Sequence, residues 1–147
     1  METNLYETDF YGWTIAQARL LELGKIEGLD LVNLAEEIES LGKQQRQELE
    51  NRLTILLGHL LKWNLQPELR GKSWRLTIRE QRRQIQKIIR KNPSLKPCLS
   101  EEIADGYESA LVLVAQETPF DYKDLPQECP FSMEQIFDIN FLIGIEL

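Results

Sequence analysis

Histidine and cysteine are scarce in this chain. Its 147 residues hold one histidine, His59, and two cysteines. Cys98 and Cys129 lie far apart, each beside a proline, and form no C-x-x-C pair. Zinc sites of the usual kinds gather several His or Cys ligands, so neither a metal centre nor a disulfide framework is expected. A di-iron bundle needs Glu-x-x-His pairs, and the residue three before His59 is Leu56. The eight glycines match no phosphate-binding loop, and there is no G-x-S-x-G elbow. No cofactor is expected. Long apolar runs are missing too. The stretches 110–115 and 141–145 fall far short of the ~18 residues that span a bilayer. Residues 1–8 are polar and acidic, without the basic start and apolar run of a signal peptide. The expectation is a cytoplasmic protein with no membrane partner. Alternating strand patterns, internal repeats and low-complexity tracts are absent as well.

What remains is helix. Apolar residues make up 42% of the chain, enough for one continuous core over 1–147 without staples. Helical spacing of Phe10, Trp13, Gln17 and Leu20 or Leu21 predicts a first helix over about 9–23, stopped by Gly24. Asp30 is placed to cap a second, 31–41, with Leu31, Leu34, Ala35, Ile38 and Leu41 on its apolar side. Gly42 is expected to end or bend it. A third helix, 43–64, carries Leu49, Leu53, Leu56, Leu57, Leu60, Leu61 and Trp63, and its wide stripe makes it the centre of the bundle. Ser73 would cap a fourth, 74–91, with Trp74, Ile78, Ile85 and Ile89 inward, and Asn92-Pro93 ends it. Ser100 would cap a fifth, ending near Glu117. An irregular stretch with three prolines, 118–131, leads to a capping box, Ser132 with Gln135, and a short helix, 133–138. The fold class read from this pattern is all-α: an irregular antiparallel bundle of about five helices plus a short C-terminal one. Trp13, Trp63 and Trp74 fall at core spacing and are expected to be core anchors.

Several segments carry a wider resemblance. They are Tyr6 to Trp13, Leu29-Asp30 followed by Leu34 to Gly42, Leu56 to Trp63 with Gln66-Pro67 behind it, Ser73-Trp74 with Ile78 to Arg82, Pro93-Ser94-Leu95, Glu117-Thr118 and Cys129-Pro130-Phe131. In this order, over nearly the whole chain, they resemble the DUF29 family; the ending Ile143–Leu147 departs from its pattern. The resemblance implies a helical bacterial protein of a kind common in cyanobacteria. It implies no catalytic residue, ligand or cofactor, because the family's function is unassigned.

Two groups of residues remain as candidate sites. On a helical wheel Glu37 and His59 border the apolar faces of their helices, and Arg82 falls between Ile78 and Ile85, with Arg75 close to the same side. Glu37, His59, Arg75 and Arg82 are therefore expected to meet as a buried polar cluster, Glu37 accepting a hydrogen bond from an arginine of the fourth helix. Such a cluster could be an acid–base site, or an ion pair that the bundle neutralises internally. The second group is basic. Residues 70–91 hold nine Lys or Arg and one acid, Glu80, so this segment is +8 inside a chain of net charge -7. Arg79, Arg83, Lys87 and Arg90 are expected on or near its exposed side, within reach of acids of neighbouring helices or of solvent; neutralised within the protein, they would leave nucleic-acid binding weak. Without a catalytic motif, the functional expectation is a non-enzymatic interaction or regulatory module. It would bind a protein, or itself, through the apolar end and the proline-rich stretch. Nucleic-acid binding by the basic helix and catalysis by the polar cluster are the alternatives.

Overall fold

The computed structural model describes residues 4–142, and its helices begin and end where local chemistry allows. The chain is all-α, with no strand among the described residues. A single turn, α1 (Leu5–Thr8), precedes α2 (Phe10–Glu22). Asp9 caps α2 by accepting a hydrogen bond from the Gly12 amide at 3.0 Å. At its other end Gly24 takes φ of +69°, the left-handed conformation that glycine adopts without penalty. The Gly24 and Lys25 amides then donate back to the carbonyls of Leu21 and Leu20 and close the helix. Next come α3 (Leu31–Leu65), α4 (Lys72–Lys91), α5 (Leu99–Glu117) and α6 (Met133–Phe137), with short 3-10 turns in the connections.

Some expected boundaries shift. The second and third helices are one 35-residue helix, α3, which runs through Gly42. Glycine costs a helix only ~1 kcal/mol, too little to stop one flanked on both sides by good helix formers. Asp30 does cap its start, facing the Asn33 amide. Gly71, not Ser73, precedes α4, and Cys98, not Ser100, precedes α5, neither with a side-chain cap. The capping box at Ser132 and Gln135 forms as expected.

The chain divides into two compact units, Met1–Gln44 and Gln45–Leu147. The first is built from α1, α2 and the opening turns of α3. Among its described residues it buries Trp13 and Gln17 alone. Trp13 donates its indole N–H to Asp30 at 3.0 Å, and Gln17 accepts from the Asp30 amide. Tyr6, Phe10 and Trp13 form an aromatic group with centroids 4.9–5.7 Å apart.

The second unit holds the hydrophobic core. Leu49, Leu53, Leu56, Leu57, Leu60 and Leu61 of α3 pack with Ile78 and Ile85 of α4 and with Tyr107, Leu111 and Val114 of α5. Helices α3 and α5 approach closely at Gly106, where a Cβ would stand 3.1 Å from the Leu53 Cβ. The irregular stretch after α5 is tied down by Leu125 and Phe131 in the core and by the Tyr107 hydroxyl, which donates to the Pro126 carbonyl. Trp13 and Trp63 are core anchors, whereas Trp74 is half-buried.

Candidate functional site

Of the expected polar cluster, Glu37, His59 and Arg82 each have partners of their own. Glu37 is half-buried in the first unit and accepts the Tyr6 hydroxyl rather than an arginine; this hydrogen bond pushes the Tyr6 phenol up to about 12. Arg82, only 1% exposed, donates to two backbone carbonyls, Ile136 at 2.8 Å and Gln135 at 3.0 Å. Its guanidinium thus receives the carbonyls of α6 and holds that five-residue helix against α4. Burial pulls its pKa down, with Asp138 opposing electrostatically. Arg75 is exposed, not turned inward. The wheel placed Arg82 correctly, but carbonyls of a distant segment cannot be read from a wheel, and they took the place expected of a carboxylate.

His59 is half-buried and belongs to a different group. Its Nδ1 lies 2.8 Å from the Ile55 carbonyl one turn back, which sets Nδ1 as the protonated nitrogen and leaves a lone pair on Nε2. Burial pushes the imidazole below its ordinary pKa, helped by Lys62 and opposed by Glu117. Lys62 is only 7% exposed; its ammonium pairs with Glu117 and lies 5.9 Å from the centroid of Trp74. The sequence reading passed over Lys62 and Glu117. A signal was there, a single lysine inside the run Leu60-Leu61-Lys62-Trp63. This group could take up a proton at Nε2. Among the described residues no hydroxyl or thiol is hydrogen-bonded to His59. Nor do the described residues contain a group of three or more His, Cys, Asp or Glu that could hold a metal ion. A second passed-over pair is structural: the Arg46 guanidinium bridges exposed Glu101 and buried Glu102 at the start of α5.

Two surfaces stand out instead. On the first unit, Leu31, Ile38 and Leu41 of α3 are 63%, 66% and 60% exposed, with half-buried Leu34 completing a 3-4-3 spacing. These residues were expected to face inward. The periodic stripe is real, yet the described residues of the first unit leave it exposed. The unit around it is acidic, with nine Asp or Glu against three Lys or Arg over residues 1–44. On the second unit, Arg79, Arg83 and Arg90 are exposed and Lys87 half-buried, as the wheel requires. Of the two surroundings expected for them, acids of neighbouring helices or solvent, the described residues show the second. Among the described residues only Arg83 of these four is in an ion pair, with Glu80 of its own helix, which drops to about 2 as a result.

Of the apolar end expected to dock a partner, Phe141 and Leu142 pack against the core cluster, and Ile143–Leu147 lie outside the described residues. No helix among the described residues is long and apolar enough to cross a membrane. No curated protein and no solved structure matches the chain. A family model does: the domain of unknown function DUF29 matches residues 5–142, nearly the whole length, and the chain belongs to that family.

Proposed function

We propose that this chain is a non-enzymatic protein-interaction module whose docking surface is the apolar seam of the first unit. The observation behind this reading is the exposure of Leu31, Ile38 and Leu41 on one side of α3. Their 3-4-3 spacing, with Leu34, is the seam that a helix presents to another helix. Each large aliphatic side chain moved out of water contributes roughly 1.5–3 kcal/mol, so a partner helix on this seam gains several such increments. The acidic surroundings, Glu36, Glu37 and Glu39 among them, favour a partner helix with apolar residues along one side and basic residues at its borders.

The test is the triple variant Leu31→Ser, Ile38→Ser, Leu41→Ser beside the unchanged chain. Both are used for affinity capture from the native host, and both are followed by sedimentation over a concentration series, which reports self-association. The changed side chains are exposed, so circular dichroism should show the helical content retained. Capture or self-association should fall at least tenfold in the variant. A partner held equally well by both chains would sink the reading, as would the absence of any partner for the unchanged chain.

A further inference from the structure

Helix α4 presents a line of cations whose one carboxylate partner among the described residues is Glu80 of the same helix. At ~100° per residue, Lys72, Arg75, Arg79, Arg83 and Arg90 project into one sector of the helix, with Lys87 at its edge. The opposite sector, Ile78, Arg82, Ile85 and Ile88, is buried and fixes the rotation of the helix. The structure agrees with the projection: Lys72, Arg75, Arg79, Arg83 and Arg90 are all exposed. Among the described residues Lys72, Arg75, Arg79, Lys87 and Arg90 are in no ion pair, and Arg83 alone is bound, to Glu80. Past the end of α4 the line is continued by Lys96, which shares the rim of a groove with Arg90.

We infer that this line is a binding surface for the phosphate backbone of a duplex nucleic acid. From Lys72 to Arg90 it extends about 27 Å at 1.5 Å per residue, which matches about eight base pairs at ~3.4 Å each. With its Ile78, Ile85 and Ile88 side buried in the core, the helix offers a partner chiefly charge, beside exposed Leu76, which suits a repeating line of phosphates. An anionic membrane is the poorer match, because an interfacial helix must free its apolar side for the lipid, and here that side is core. Single strands are disfavoured as well, since they need exposed aromatic rings for the bases to stack on. The one ring on this helix, Trp74, is half-buried with Lys62 over it. The net charge of -7 does not abolish the attraction. At physiological salt, charges beyond about 8 Å are screened, so a duplex on this helix responds chiefly to the local line.

The test uses the full chain and four probes: a labelled 20-base-pair DNA, the same sequence as duplex RNA, a single strand, and anionic vesicles. Five phosphate contacts predict a log–log salt slope of about -4.5 on duplex DNA, or about a 500-fold loss of affinity from 50 to 200 mM salt. Reversing Arg75, Arg79 and Arg90 to Glu should abolish detectable binding. Changing the same three to Lys, which keeps the charges, should hold affinity within a few-fold. The ratio of DNA to RNA affinity identifies which duplex is preferred. Absence of duplex binding tighter than about 10⁻⁴ M at low salt overturns the inference. So does binding indifferent to charge reversal, or tighter binding to vesicles or to the single strand than to either duplex.

Discussion

Arg82 shows how one side chain secures an element too short to hold itself. Five residues are far below the length at which a helix persists alone, and α6 depends on Ile136 in the core and on the Arg82 guanidinium beneath its carbonyls. Arg82→Ala removes two charge-assisted hydrogen bonds and leaves buried carbonyls unpaired. A loss of about 3 kcal/mol is expected, measurable as a lower urea midpoint at unchanged m-value. Arg82→Lys should recover only part of it, since an ammonium cannot offer two carbonyls the planar fork of a guanidinium. His59 supplies a pH signature. Its folded pKa lies below the ordinary imidazole value because burial disfavours the charged ring. The unfolded chain therefore binds the proton more readily, and the stabilisation from this group is complete above ~6.5 and is lost as pH falls from there toward the folded value. Stability of the unchanged chain should decline between pH 7.5 and 5.5, and His59→Gln should flatten that decline. An identical slope in both proteins would remove His59 as its source.

At the scale of the helix, three glycines in apparently similar settings should answer differently to alanine. Gly42 lies inside α3 with nothing within 4 Å of where its Cβ would stand. Gly42→Ala should stabilise by about 0.5–1 kcal/mol, the ordinary helix-interior difference. Gly58 faces the end of the Leu113 side chain at 3.2 Å. That neighbour can move slightly, so Gly58→Ala should be near neutral, with propensity offsetting the shift. Gly106 is different, because its Cβ would meet the Leu53 Cβ at 3.1 Å with the Glu50 carbonyl behind it. Neither can yield without moving α3, and Gly106→Ala should cost about 1–3 kcal/mol. Thermal melts of the three single variants check the order Gly42, Gly58, Gly106 from most to least stable. A stabilised Gly106→Ala would mean that α3 and α5 are not held as closely as described.

Across the whole molecule the apolar material is unevenly divided. Every member of the core cluster lies at residue 49 or beyond, while the first unit buries two residues. A piece of about 45 residues with so little core lacks the burial needed to offset its chain entropy. A fragment of residues 45–147 should therefore unfold cooperatively with most of the stability of the full chain. A peptide of residues 1–44 should be largely unfolded by circular dichroism. Equal loss of structure in both fragments would show that the core does not suffice for the second unit.

Periodicity alone determined that this protein is helical and that Leu49, Leu53, Leu56, Leu57, Leu60, Leu61, Trp63, Ile78 and Ile85 are core, whereas Ile88 in place of Ile89 and the core residues Tyr107, Ala110, Leu111 and Val114 of α5 came from the structure. The spacing of Leu49, Leu53, Leu56, Leu57 and Leu60 admits one buried stripe, and Ile78 with Ile85 admits another. The inward rotation of Arg82 followed from the same arithmetic. Tertiary structure decided everything that depends on partners distant in sequence. Arg82 met carbonyls 53 and 54 residues away, Lys62 met Glu117, and Glu37 met Tyr6. A wheel assigns a side chain to a side of its helix, but it does not say what arrives there. The same blindness explains Leu31, Ile38 and Leu41, whose spacing is that of a core stripe although the fold leaves them in water. An apolar stripe states only that burial would be favourable, and whether this chain or a partner supplies the covering surface is settled by which segments the fold brings near it.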